Sequence, residues 1–342
     1  MRIGVPREIK DGESRVALTP AAVSQLAEVV VEPGAGAGVG FTDAEYTAAG
    51  ATLGDPWDCE LVVKVKELQP PEYRKPRRGQ TLFSFQHFAL EPALLDAALA
   101  SGATFIAYET VGQEGGRLPI LAPMSAIAGR LAVQAGAWCL QSQNGGSGVL
   151  LPGVEGVPPG KLVILGAGNV GANALAVAHG IGASVSVFAK TDRRFPLLRA
   201  KYPHACFTAS FDAQVVKDAD LVIGGVLTPG QLSPKLISRK LLAGMRRGSA
   251  LVDVGIDQGG IAETSRPTTH SRPTYVEEGV VHYCVPNMPA ACARTASLAL
   301  ERAVLPYVQM LARNQMNDDL RTGIQVQAGK VVHAQLARDT GR

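Results

Sequence analysis

The sequence predicts an α/β protein built as two doubly wound domains. The chain has 342 residues, enough for two cores of ordinary size. Short apolar runs alternate with helical ones twice, first from the N-terminus and again from Lys161, and such alternation builds parallel sheets. A glycine-rich turn, GAGNVG at 166–171, stands directly between an apolar run and a helical one where the second series begins. Hydrophobic residues make up 46% of the chain and aromatics 5%, so both cores are expected to be aliphatic.

Along the chain, RIGVP reads as a buried strand. TPAAVSQLAE has helical spacing, with Thr19 placed to cap it and Pro20 at its first position. LVVKVK, TLFSF and TFIAYE read as further strands, and EPALLDAALASG as the helix between the last two. APMSAIAGRLAVQAGAWCLQ reads as one long, largely buried helix with Ser125 as its N-cap, while NGGSGVLLPGVEGVPPG is too rich in glycine and proline to be helical. The second series opens with KLVILGAGNVGANALAVAHGIGASVSVFAK: strand, turn, helix, strand. DLVIGGV, SALVDVGI and VVHYCVP supply more strands. From about Ala293 the chain turns helical, with leucines and alanines on one face, and is expected to return to the first domain.

Composition excludes several classes of function. A net charge of +3 with no lysine-arginine block argues against nucleic acid as a partner. MRIGVPREIK carries charge where a signal peptide needs an apolar run. Leu162 to Ala189 is long and nearly uncharged, but its glycines, Asn169, Asn173 and His179 divide it, so no membrane partner is expected. Cys59, Cys139, Cys206, Cys284 and Cys292 show no CxxC spacing, which argues against zinc and disulfides and fits a reducing cytoplasm.

Each glycine of the turn has a physical task. Gly166 permits the sharp bend, Gly168 lets a pyrophosphate approach the backbone, and Gly171 lets the helix lie against the strand. With Asn169 and Val170 between them, they present free N–H groups and the positive end of a helix dipole to phosphates. The second domain therefore reads as Rossmann-like and dinucleotide-binding. A tight βα turn with no ligand is the alternative reading.

Motifs outside this turn resemble one family. RIGVPREIKDGESRVALTP at the start, LVVKVKE at 61–67, AYETV at 107–111 and LPILAPMSAIAGR at 118–130 look like alanine dehydrogenase. So do LVDVGIDQGG at 251–260, SRPTTHSRPTY at 265–275 and NMPA at 287–290. The soluble nucleotide-binding domain of proton-translocating transhydrogenase belongs to the same superfamily. The resemblance implies two Rossmann-like domains with a cleft between them. Residues 1–119 and 293–342 would form the substrate domain, and 120–292 an inserted dinucleotide-binding domain. It also implies reversible oxidative deamination of a small L-amino acid, with a 2-oxo acid and ammonia as partners, in a homo-oligomer (hexamer or dimer).

Carried over, the substrate contacts fall on Arg15 and Lys66, with His87 and Asp257 as acid-base groups. The chemistry agrees: a 2-oxo acid needs cations for its carboxylate, and an imidazole titrates near neutrality. Asn287 and Met288 would lie beside the nicotinamide, and Ser125 joins the cofactor set. The plainer readings are surface cations for Arg15 and Lys66, a core histidine for His87, a loop cap for Asp257 and core filling for Met288.

The chain departs from the family at several positions. Ala189 stands where NAD-dependent members end the second strand of this domain with an aspartate that holds the ribose hydroxyls. Lys190, Arg193 and Arg194 follow and could pair with a 2′-phosphate, so NADP(H) is favoured over NAD(H), with Asp192 the alternative ribose ligand. Gln86 stands in QHF where LHL is usual, Ala126 replaces a glutamate, Gly255 an alanine, and ACARTAS a VPRTS-like segment. A transhydrogenase subunit and a non-catalytic nucleotide-binding relative are the competing functions.

Overall fold

The computed structural model describes residues 1–112, 116–226 and 232–342. Its contacts divide the chain into two units, Met1–Met124 with Cys292–Arg342, and Ser125–Ala291. The first unit holds β1 (Ile3–Val5), β2 (Val29–Val31), β3 (Thr52–Leu53), β4 (Leu61–Val63), β5 (Thr81–Ser84) and β6 (Thr104–Ala107). The second holds β7 (Lys161–Leu165), β8 (Ser184–Phe188), β9 (Cys206–Thr208), β10 (Leu221–Gly224), β11 (Ala250–Asp253), β12 (Thr274–Glu277) and β13 (Val280–Tyr283). Two last strands, β14 (Ile324–Gln327) and β15 (Lys330–Val331), return to the first.

In the first sheet the order is β3-β2-β1-β4-β5-β6-β14-β15. Its first six members run parallel, and β14 joins β6 antiparallel. Winding therefore reverses between β1 and β4, where Ile3 faces both Val29 and Leu61. The second sheet is ordered β9-β8-β7-β10-β11-β13-β12, with β12 the one antiparallel member, and reverses between β7 and β10. Strands covered on both faces read as unbroken apolar runs, as Leu61–Val63 do. In the second unit, Leu162, Ile164, Leu221 and Ile223 face one core, and Val163, Leu165 and Val222 the other.

The helices depart from expectation in several places. TPAAVSQLAE forms only α1 (Pro20–Val23). Thr19 stands at the N-cap, but its side chain caps nothing, and its N–H instead donates to Glu301 at 2.7 Å. The side chains of Ser24 and Gln25 both donate to the Ala21 carbonyl, offering the chain an alternative to another helical turn. A helix the sequence reading missed, α2 (Asp43–Ala48), is closed by a Thr42–Glu45 capping box. α3 (Pro92–Ser101) forms as expected and ends on Gly102 in the left-handed region.

The long helix α4 spans Leu121–Cys139, so Ser125 lies in its second turn and is not its N-cap. The Ala122 N–H already bonds to the Leu118 carbonyl, and Pro123 fits the first turn, where a missing N–H costs nothing. Only one face of α4 is buried, through Ala128, Ala132, Val133 and Cys139, and Trp138 is exposed. The second unit continues with α5 (Asn169–Gly180), α6 (Phe195–Lys201), α7 (Ala213–Lys217) and α8 (Arg239–Ala243). α9 (Ala293–Ala312) returns to the first unit, as expected. It buries Leu300, Val304, Val308 and Leu311, and its Ser297 accepts from the Val16 N–H. All five cysteines are free. Among the described residues, no helix is long and apolar enough to cross a membrane and no acid, histidine or cysteine cluster could hold a metal.

Candidate active site

The first unit gathers its candidate residues on the segments that leave β1, β4 and β5 at their carboxyl ends, beside the reversal of winding. Open α/β sheets bind ligands at that place. Arg15 is not a surface cation: it is 2% exposed. Its Nε donates to Glu13 Oε1 at 2.7 Å and its Nη2 to Oε2 at 2.5 Å, and Nη1 lies 3.3 Å from Met124 Sδ.

Lys64 and Lys66 are both buried, with different partners. Lys64 Nζ bonds to Glu72 at 2.8 Å and approaches Glu8 at 3.4 Å. Burial alone would lower its pKa, but the two carboxylates hold it above the usual lysine value. Glu8 is pushed up by burial against the pull of Lys64, and accepts from the Val65 N–H at 2.6 Å. Lys66 Nζ stands 3.4 Å from Glu67 Oε2 and 5.7 Å from the Phe85 ring centre. Glu67 also binds Lys10. Burial would raise its carboxyl, but Lys66 and Lys10 bring it down to about 2.

His87 is not a core histidine. Its side chain is 37% exposed and stacks on Phe85 with centroids 6.0 Å apart. Its backbone lies in the left-handed region at φ 50°, held there by Glu109, which accepts from its N–H at 2.8 Å and from the Gln86 N–H at 3.2 Å. Nδ1 faces the same carboxylate at 3.8 Å. Gln86 is fully buried, and its amide donates to Ser84 Oγ at 2.9 Å. Lys66, Phe85, His87 and Glu67 thus form one group, while Arg15 is anchored through Glu13.

In the second unit the glycine turn follows β7. Gly166 has φ 109°, and its N–H donates to the Phe188 carbonyl at 2.7 Å. A Cβ on Gly171 would stand 1.8 Å from the Gly166 oxygen, so the helix start demands glycine. Among the described residues, a Cβ on Gly168 would meet nothing within 4 Å, so they leave the space over the turn open. Asn169 is exposed at the head of α5, and Val170 is buried. Ala189 follows the end of β8, half-buried, and Lys190, Asp192, Arg193 and Arg194 are all exposed.

Asp257 is exposed on a 3-10 turn, Val254–Gln258, that follows β11. The buried Asp253 organises that turn: it accepts from the N–H groups of Gly255 at 3.1 Å and Ile261 at 2.7 Å, and from Ser265 Oγ at 2.5 Å. Burial pushes its carboxyl up, against these hydrogen bonds and Lys235. Lys235 Nζ closes the far side on the Gly260 and Ala262 carbonyls, at 2.9 and 3.0 Å. Asn287 has φ 56°, and Met288 packs into the core cluster of this unit. Ser125 is half-buried within α4.

Sequence reasoning missed Glu67, Glu109 and Asp253, and two glycines at the turn. A Cβ on Gly129 would lie 2.2 Å from the Val170 carbonyl oxygen, and one on Gly225 2.9 Å from Val170 Cγ1. Asp253 had a signal: it is the charged residue that closes an apolar strand.

A doubly wound unit with an open glycine turn, and a second with buried cations and a histidine at its strand ends, describe a dinucleotide-binding α/β protein with a separate polar site. Comparison narrows the class. Residues 4–128 match the family described as Alanine dehydrogenase/PNT, N-terminal domain, and residues 132–334 its C-terminal counterpart. The chain belongs to this alanine dehydrogenase/PNT family. An alanine dehydrogenase of Halomonas elongata is 48% identical over all of this chain and 97% of its own, and one of Bacillus subtilis 46% over all of this chain and 95% of its own. The solved structure of an L-alanine dehydrogenase is 44% identical, covers 100% of this chain and 99% of its own, and superposes with a TM-score of 0.95. A transhydrogenase of Sinorhizobium meliloti is more distant, at 25% identity and a TM-score of 0.83, with 97% of this chain and 100% of its own covered. Family membership implies a nicotinamide cofactor, and the turn fits one: it is open over Gly168 and intolerant of a side chain at Gly171.

Proposed function

We propose that this protein catalyses the reversible oxidative deamination of L-alanine, or a closely similar small amino acid, to its 2-oxo acid and ammonia. Full-length similarity to alanine dehydrogenases carries the reading. In it, the first unit is the substrate domain and Ser125–Ala291 the dinucleotide domain. The nicotinamide, when bound, supplies the acceptor for the hydride that leaves the substrate Cα with its electron pair. Arg15 and Lys66 hold the substrate carboxylate, Arg15 already oriented by Glu13. His87 exchanges a proton with the carbinolamine oxygen as water adds to the imine carbon and ammonia departs. Asp257 orients that water or ammonia, and Asn287 and Met288 contact the nicotinamide.

The pyrophosphate of the cofactor lies against Gly166, Gly168, Asn169, Val170 and Gly171, and Ser125 adds a further cofactor contact. Ala189 leaves room for a 2′-phosphate, and Lys190, Arg193 and Arg194 are solvent-accessible cations beside it, which favours NADP(H). The deciding assay mixes the protein with pyruvate, ammonia and either reduced cofactor and follows nicotinamide absorbance. Turnover with pyruvate is expected, faster with NADPH. No turnover with any small 2-oxo acid would remove the assignment, and a strong preference for NADH would remove only its cofactor clause.

A further inference from the structure

Glu67 sits among more positive charge than one carboxylate needs. Its Oε1 is taken by Lys10, while its Oε2, buried and without a hydrogen-bond partner among the described residues, stands 3.4 Å from Lys66 Nζ. That separation is beyond a good charged hydrogen bond, so Lys66 is attracted to Glu67 without being tied to it. Lys10 comes from a different segment, the loop after β1, and its side chain is 35% exposed. The same loop turns back through a hydrogen bond from the Glu13 N–H to the Lys10 carbonyl at 3.0 Å, and Glu13 is the partner of Arg15. One ion pair therefore joins the loop bearing Arg15 to the segment bearing Lys66.

We propose that Lys10 is a positioning residue for the substrate carboxylate: by occupying Glu67 it leaves Lys66 available to an incoming anion and sets the spacing of Lys66 from Arg15. This rests on the assignment of Lys66 and Arg15 to the carboxylate. Two lysines around one carboxylate leave a net charge of +1, whereas Lys66 and Glu67 alone would be neutral. In so buried a place an uncontested carboxylate would draw Lys66 into direct contact and compete with the substrate for it. Glu67, held down to about 2, is ionised at any working pH and is a permanent competitor.

A double-mutant cycle tests this in the intact enzyme, with pyruvate, ammonia and reduced cofactor. Lys10→Met should raise the KM for pyruvate about tenfold, with kcat within about twofold, as expected for lost binding common to ground and transition states. Lys10→Arg should restore it. Lys10→Met combined with Glu67→Gln should recover most of the lost affinity, because the competitor is gone; a merely structural bridge predicts that the double variant is no better than the single. A wild-type KM in Lys10→Met, a double variant as poor as the single, or a Lys10→Met protein that no longer binds reduced cofactor each overturns the proposal. An active wild type with any of these results leaves the proposed reaction standing. An inactive wild type overturns both together.

Discussion

Arg15 and Glu13 form a buried bidentate pair, so removing either side chain takes a bidentate partner from a buried charge, a kind of change that costs about 3–5 kcal/mol of stability. Arg15→Ala would therefore confound folding with binding. Arg15→Lys keeps the charge and loses the planar fork. It should raise the KM for pyruvate about tenfold or more, a loss of roughly 1.4 kcal/mol, while cofactor binding persists. An unchanged KM would take Arg15 out of the site. His87→Gln should slow turnover about a hundredfold through loss of acid-base catalysis. Its backbone cradle on Glu109 does not depend on the ring, so cofactor affinity should stay as in the wild type, measured by nicotinamide fluorescence. At Ala189 an aspartate would meet the ribose hydroxyls and repel a 2′-phosphate. With a charged hydrogen bond worth about 1.5–3 kcal/mol, Ala189→Asp should move the ratio of kcat/KM for NADPH over NADH toward NADH by about tenfold or more. A ratio that stays put would show that position 189 does not face the adenosine ribose.

Among the elements, the strands were the most legible part. Residues 61–63, 162–165 and 221–223 are apolar because parallel strands covered on both faces have no polar side to show. Helix limits were less legible, for local reasons: Ser24 and Gln25 compete for the Ala21 carbonyl and stop α1, and α4 starts before its serine because Pro123 is tolerated in a first turn. The three glycines within the turn could be read, since each acts on its immediate neighbours, whereas Gly129 and Gly225 meet Val170 from elsewhere in the chain. Glu67 and Glu109 could not. Their partners, Lys10 and the His87 N–H, lie 57 and 22 residues away, and no pattern in a single sequence joins them. The turn also permits a sharp stability test. Gly171→Ala would place a methyl 1.8 Å from a backbone oxygen that has no flexible end to yield. Overpacking of this kind costs about 1–3 kcal/mol, so the denaturant midpoint should drop and cofactor binding weaken with it. An alanine variant as stable as the wild type would mean the turn and helix can part without penalty.

For the whole molecule, acid is an informative probe. Glu67 is depressed in the folded state, so its contribution to stability is complete above the unfolded value of about 4.3 and fades as pH falls toward its folded value of about 2. Wild type should therefore exceed Glu67→Gln in stability at pH 6, and the gap should narrow on titration to pH 3, followed by denaturant midpoints. A gap independent of pH would show that Glu67 acts through packing alone. The route of the chain has a consequence of its own. β6 acquires its outer neighbour, β14, only from residues 324–327, after every residue of Ser125–Ala291 has been made. Domains usually complete themselves in the order of synthesis, yet here the inserted one is finished while the one that began first still waits. During translation the ribosome thus carries a completed domain set within an incomplete one, whose β6 edge is open to stray pairing.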